Sequence, residues 1–137
     1  MSIFVKDSDL IEVVVHYTDV NGNIVIVDET IEPTENTTAL KVKFRRPDFS
    51  ISQRLVASST SVDQSGSPSV NLLMLQNNML YFLAKEWDAK EPDTKNDSGE
   101  VVKGKDVELN ADSLGSLRIE IARSLITKLL PLIGQIM

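Results

Sequence analysis

Nucleophilic catalysis has few side chains to work with in this sequence. There is no cysteine, and His16 is the single histidine. A serine triad would need His16 as its base, and the G-x-S-x-G turn that presents a nucleophilic serine is absent. Glu86 and Asp88 flank Trp87 in a predicted helix, where positions so close in sequence do not face each other. We predict no catalytic residue, and an enzyme would require a pocket that joins His16 to two carboxylates.

Three loops resemble ligand-binding motifs without completing them. Residues 99–106 are one residue short of a phosphate-binding loop, and Asp106 stands where Ser or Thr would bind magnesium. The runs 19–23 and 93–99 begin like calcium loops but lack the glutamate that closes such a loop. Without cysteine there is also no thiolate zinc site. We therefore predict no metal site and no cofactor.

Composition limits the kinds of partner. The chain has 137 residues and a net charge of -6, and an acidic surface repels the phosphate backbone of nucleic acids. It is 42% hydrophobic but only 5% aromatic, so the core should be mostly aliphatic. The start of the sequence predicts no signal peptide, and no apolar run is long enough to span a bilayer. We expect a single cytoplasmic domain over residues 1–137 that binds neither nucleic acid nor a membrane.

The first third of the sequence predicts an antiparallel sheet. The runs 10–17 and 24–31 are rich in β-branched residues, and Asn21-Gly22 between them is a strong hairpin signal. A third run, 39–44, alternates apolar with mostly basic residues, which is typical of a half-buried strand. About three strands are expected.

Helices are predicted for the rest of the chain. Ser50 and Gln53 match a capping box, and Ser67-Pro68 is a good start for a second helix, which Trp87 should help to pack at its C-terminal end. Strands followed by helices indicate an α+β fold. The predicted boundaries are strands at about 3–45, helices at about 50–60, 68–89 and 110–135, the last one long, and a mobile loop at 90–106.

The basic cluster Lys41, Lys43, Arg45 and Arg46 has two interpretations. It is either a solvated strand face that balances acidic neighbours, such as Asp28 and Glu29, or a small patch for an acidic partner. The first is favoured, because runs of charge are usually solvated faces. Phe44 and Phe49 are expected to anchor the joint between this strand and the first helix in the core.

The last predicted helix carries more apolar surface than one core contact needs. One stripe includes Leu117, Ile121, Leu125 and Leu129, and a second apolar row lies beside it. Either the domain covers both rows itself, or one row binds another protein or a second copy of the chain. The four named residues are the predicted partner contacts, with Arg45 and Arg46 as a weaker polar anchor.

Three segments in this order resemble tail assembly chaperones of tailed bacteriophages. They are FRRPDF at 44–49, NLLMLQNNMLYFLAKEW at 71–87 and LITKL at 125–129. The resemblance covers roughly residues 40–130 and includes chain length and the order of strands and helices. Other small phage tail or baseplate proteins would resemble this chain in the same way. The chaperone family has no catalytic residue that the resemblance could assign to this sequence.

The resemblance implies a partner, a helical and hydrophobic tape measure protein in the host cytoplasm. The expected function is therefore non-enzymatic shielding of that protein during tail assembly, by helix-in-groove contacts. Two alternatives remain open. One is a structural subunit retained in the virion, in the baseplate, tail or capsid. The other is a phage-encoded inhibitor that mimics nucleic acid with its acidic surface.

Overall fold

The computed structural model describes residues 2–27 and 36–134 and has the predicted α+β architecture. A four-stranded antiparallel sheet carries helices on one face. The elements are, in chain order, β1 (Leu10–Val20), β2 (Asn23–Val27), β3 (Thr37–Arg45), α1 (Phe49–Ser58), β4 (Thr60–Val62), β5 (Pro68–Val70), α2 (Leu72–Leu83), β6 (Ala84–Trp87), β7 (Thr94–Lys95), β8 (Val101–Val102), α3 (Ala111–Gly115) and α4 (Ile119–Ile133).

The predicted hairpin between β1 and β2 is present. Its turn has Asn21 at φ 55° and Gly22 at φ 84°, in the left-handed region that Asn and Gly tolerate. The Asp19 carboxylate accepts a 2.8 Å bond from the Gly22 N–H and closes the turn. The sheet order is β2-β1-β3-β6, all antiparallel. The predicted strand residues 28–31 lie outside the described residues.

The fourth strand of the sheet was predicted as the end of a helix. Helix α2 ends at Leu83, and Ala84–Trp87 turn into β6, which pairs with the outer edge of β3. Pairing there satisfies backbone groups of β3 that would otherwise lie at an open edge. Trp87 is therefore a half-buried strand residue, and its indole Nε1 donates a 2.6 Å bond to the Val107 carbonyl.

The predicted second helix also begins later than expected. Pro68–Val70 form β5 and pair with β4, so Ser67 is a turn residue rather than a cap. The N-cap of α2 is Asn71, whose side chain accepts a bond from the Met74 N–H.

The predicted last helix is two helices. Short α3 has a capping box made by Asn110 and Ser113, and it ends where the Ser116 N–H bonds back to the Asp112 carbonyl. After Leu117 the chain turns, and α4 starts at Ile119.

Most of the segment predicted as a mobile loop forms a two-stranded ribbon, which we call the β-ribbon (residues 89–107). Strands β7 and β8 pair near its tip, Lys90 bridges to Asp106, and the Val107 N–H bonds to the Ala89 carbonyl at 2.9 Å. Nearly all of its side chains are exposed. Its mobility stays a prediction.

One aliphatic core joins the sheet to the helices. Alternate residues of β1 and β3 point into it, and α4 packs across β1 and β2 while α2 packs on α1 and α4. Phe44 is its aromatic member and is fully buried. The buried set is Ile11, Val13, Val15, Leu40, Val42, Phe44, Leu55, Leu75, Met79, Leu80, Leu83, Leu114, Ile121, Leu125, Ile126, Leu129 and Ile133.

Candidate functional site: an apolar groove between the helices

An apolar groove of about 250 Å³ lies on the helical side of the molecule, between α2, α3 and α4. We call it the helical groove. Its floor combines buried and half-buried aliphatic side chains, and its rim carries the exposed residues Asn77, Tyr81, Ile119 and Arg123. The lining residues are Asn77, Leu80, Tyr81, Leu114, Gly115, Leu117, Ile119, Ala122, Arg123 and Ile126.

Helix α2 supplies one wall because it is apolar on more than one face. Its inner face is buried in the core through Leu75, Met79, Leu80 and Leu83. Five further large apolar residues of the same helix remain between 44% and 58% exposed, which no core contact explains. They are Leu72, Leu73, Met74, Tyr81 and Phe82.

The turn between α3 and α4 supplies the opposite wall. Leu114 is buried under it and Leu117 is half-buried, whereas Ile119 at the first turn of α4 is 68% exposed. The Tyr81 hydroxyl reaches across the groove, because a Cβ added to Gly115 would lie 3.2 Å from it. The groove therefore has an aromatic residue on one wall and an isoleucine on the other.

Positive charge borders the groove. Arg123 lines it, and Arg118 precedes α4 as its N-cap residue. Both are exposed, and neither forms an ion pair with a carboxylate in the described part of the chain. Glu120 in the first turn of α4 is exposed as well, so the start of this helix carries both signs of charge, and Arg123 is the charged residue that lines the groove among the described residues.

The predicted contact stripe on α4 is mostly core. Ile121 is 5% exposed, and Leu125 and Leu129 are fully buried against the sheet and α2. These three side chains therefore pack the domain and do not face a partner in this conformation. Leu117 is the one member of the predicted set that lines the groove.

The two predicted arginine anchors are engaged within the chain. Arg45 Nη2 lies 3.1 Å from Asp7 Oδ1 and 3.3 Å from Asp48 Oδ2. Arg46 Nη1 donates to the Leu132 carbonyl at 3.3 Å, in the last turn of α4 where a cation is favoured by the helix dipole. Both arginines hold the joint between β3 and α1 to its neighbours, and Arg46 ties it to the end of α4.

The outer face of the sheet carries the other basic residues. In the strand register Lys43 lies between Glu12 of β1 and Glu86 of β6. A shallow depression of about 320 Å³ there is lined by both signs of charge, with Lys41 and Asp88 completing it. Opposite charges on neighbouring strands stabilise a sheet, which favours the interpretation as a balanced, solvated face. The predicted balancing residues Asp28 and Glu29 lie outside the described residues.

Among the described residues, no carboxylate and no histidine lines the groove. Half-buried His16 lies opposite Val27 and Ala39 in the sheet. Burial, and then the Asp88 carboxylate, raise the pKa of Tyr17 on β1. In the exposed β4–β5 turn, hydrogen bonds led by the Ser65 hydroxyl lower the pKa of Asp63. Within residues 2–27 and 36–134, no three His, Asp or Glu side chains are grouped as metal ligands.

Comparison with known proteins finds no relative of this chain. No family model matches the chain, and no curated protein or solved structure is significantly similar to it. Among the described residues, no helix has the length and apolarity needed to cross a membrane.

Sequence reasoning missed the exposed side of α2. The signal was present, because the run 72–75 is four apolar residues in succession and a single helix face cannot bury all four. The neighbouring wall had no such signal, since it forms only where the chain turns between α3 and α4.

Proposed function

We propose that this chain is a non-enzymatic assembly chaperone of a tailed bacteriophage. Its helical groove would bind an apolar helical segment of the tape measure protein in the host cytoplasm. The observation that carries the proposal is the uncovered apolar surface formed by the groove and the exposed side of α2. Surfaces of this kind on an otherwise charged domain typically mark protein-binding sites.

The size and shape of the groove favour a helix as the bound element. Amphipathic helices dock through a few apolar anchors spaced three or four residues apart. A groove of about 250 Å³ has room for only a few such side chains. Tyr81 and Ile119 on opposite walls would clasp them, and Met74 would extend the contact along α2.

The partner contacts proposed from the structure thus differ from those predicted from sequence. Leu117 is kept from the predicted set, and Tyr81 and Ile119 replace Ile121, Leu125 and Leu129, which are buried. Arg123 at the rim would meet acidic residues on the polar side of a bound helix.

Co-expression with the tape measure protein of the same phage tests this function. We expect the wild-type chain to keep that protein soluble and to form a complex with it. The variants Tyr81→Glu and Ile119→Glu each place a charge in an apolar contact. Each should weaken binding by tenfold or more, a loss of about 1.4 kcal/mol or more of binding free energy.

Thr127→Glu is the matched control, because Thr127 is exposed on the same helix as Ile119 but does not line the groove. It should bind like the wild type. If both groove variants fold normally, as judged by circular dichroism, and still bind with wild-type affinity, the groove is not the binding site.

A structural subunit retained in the virion is the second candidate. It is favoured by the β-ribbon, which exposes Val101 and Val102 on a short strand that pairs on one side with β7. Exposed strand edges can pair with a neighbouring subunit. Mass spectrometry of purified particles separates the two functions, since a chaperone should be absent from them.

A further inference from the structure

A second unexplained apolar feature lies at the start of the described chain. Ile3 is 90% exposed and Phe4 is 74% exposed. We call residues 2–5 the leading arm. Two adjacent large apolar side chains in water are unfavourable relative to burial. Something is therefore expected to cover them.

The leading arm projects from an anchored base. Asp7 is paired with Arg45 at 3.1 Å, the Asp9 N–H bonds to the Lys6 carbonyl, and the Arg46 N–H bonds to the Asp9 carbonyl at 3.1 Å. These contacts attach residues 6–9 to the end of β3. The arm is thus presented at a defined place on the molecule.

That place is at the opposite end of α4 from the helical groove. Arg46 bonds to Leu132 in the last turn of α4, whereas the groove is lined by Ile119, Ala122 and Ile126 in the first half of that helix. In the structure Ile3 and Phe4 are both exposed, so the arm does not fill the groove of its own chain.

The arm and the groove match in apolar character. The arm is followed by Lys6 and then by Asp7, which already pairs with Arg45. The groove is lined mostly by apolar residues, with the exposed Arg123 at its rim. Docking of one on the other would cover both apolar surfaces.

We infer that two copies of this chain form a twofold dimer in which each leading arm fills the helical groove of the other copy. Two antiparallel α4 helices would place each arm beside the partner's groove. One inserted arm would bury roughly 600–800 Å², counting both surfaces, which is the size of a crystal contact. Two reciprocal arms reach about 1,200–1,600 Å², the size of a stable interface. This is why the closed, symmetric arrangement is favoured over an open chain.

The dimer uses the same groove as the proposed function but does not depend on which partner binds there. Self-association would cover the groove until a helical segment displaces the arm. Loss of the arm should therefore leave partner binding intact or strengthen it. Failure of the dimer and failure of the chaperone function are separate results.

The dimer is tested by sedimentation velocity on the purified chain over a hundredfold concentration range around ~10 µM. The wild type should approach twice its mass of 15.2 kDa. Phe4→Glu and Ile119→Glu should each remain monomeric. Val62→Glu is the control, because Val62 is as exposed as Ile119 and belongs to neither surface, and it should dimerise like the wild type.

Disulfide cross-linking identifies the contact. Because the sequence has no native cysteine, only the introduced cysteines can form a disulfide. The variant Phe4→Cys with Ile119→Cys should form a disulfide-linked dimer under mild oxidation, much faster than either single variant. A monomeric wild type, a disulfide within one chain, or a Phe4→Glu variant that still dimerises would each overturn the inference.

Discussion

At the scale of single residues, Asp48 organises the joint between the sheet and the first helix. Its Oδ1 accepts a 2.8 Å bond from the Ile51 N–H as the N-cap of α1, and its Oδ2 pairs with Arg45. Arg45 Nε is buried without a hydrogen-bond partner among the described residues, so the guanidinium depends on its two carboxylates. Phe49, expected in the core, is instead 78% exposed, because a helix that starts after Asp48 turns that side chain outward.

We predict that Asp48→Ala lowers the free energy of unfolding by about 1–2 kcal/mol, from the lost cap and a lost partner of Arg45. Ser50→Ala is the control, because Ser50 was the cap expected from sequence but lies inside α1. It should change stability by no more than about 0.5 kcal/mol. Urea denaturation measures both, and a larger effect at Ser50 would contradict the observed cap.

At the scale of elements, the β-ribbon is held by few contacts. Its base is fixed by the bond from Trp87 Nε1 to the Val107 carbonyl and by the Glu91 N–H, which bonds to the Lys105 carbonyl at 2.9 Å. Gly104 lies so close to the facing backbone that an added Cβ would collide with the Glu91 carbonyl oxygen. Glycine is required there for close approach of two backbones.

We predict that Gly104→Ala opens the β-ribbon locally while the sheet stays intact. Amide hydrogen exchange at Glu91 should accelerate by about tenfold or more, whereas exchange at Val42 in the central strand β3 should not change. The control Lys103→Ala alters an exposed neighbour and should leave both rates as they are. Equal exchange at Glu91 in the two variants would show that the close contact is absent.

At the scale of the whole molecule, α4 holds the two layers together. Leu125 and Leu129 are fully buried beneath it, and Lys128 Nζ donates a 3.0 Å bond to the Val14 carbonyl of β1. The solvent side of the same helix exposes Leu132 to 47%. The helix thus divides its apolar residues between the core and the surface.

We predict that Leu125→Ala destabilises the domain by about 2–5 kcal/mol, because it leaves a cavity between sheet and helices. Leu132→Ala removes the same atoms from an exposed position and should cost less than about 1 kcal/mol. Chemical denaturation of the two variants makes the comparison. Similar small losses of stability in the two variants would mean that Leu125 is not a core residue. It would then again be a candidate surface contact, as predicted from the sequence.

Local patterns in the sequence were sufficient for much of the fold. Asn21-Gly22 determined a hairpin, because few other residues accept positive φ. The alternation in β3 determined which of its residues face the core, because side chains of a strand alternate in direction. The absence of cysteine excluded thiolate chemistry by composition alone.

The tertiary structure decided what depends on long-range neighbours. Residues 84–87 became a strand because β3 offered an edge to pair with, although the local sequence reads as helix. The apolar row of α4 became core because the sheet covers it, while the exposed side of α2 was left to form a groove with the turn before α4. The amount of apolar surface is a property of the sequence, but which part stays uncovered is set by how the elements pack.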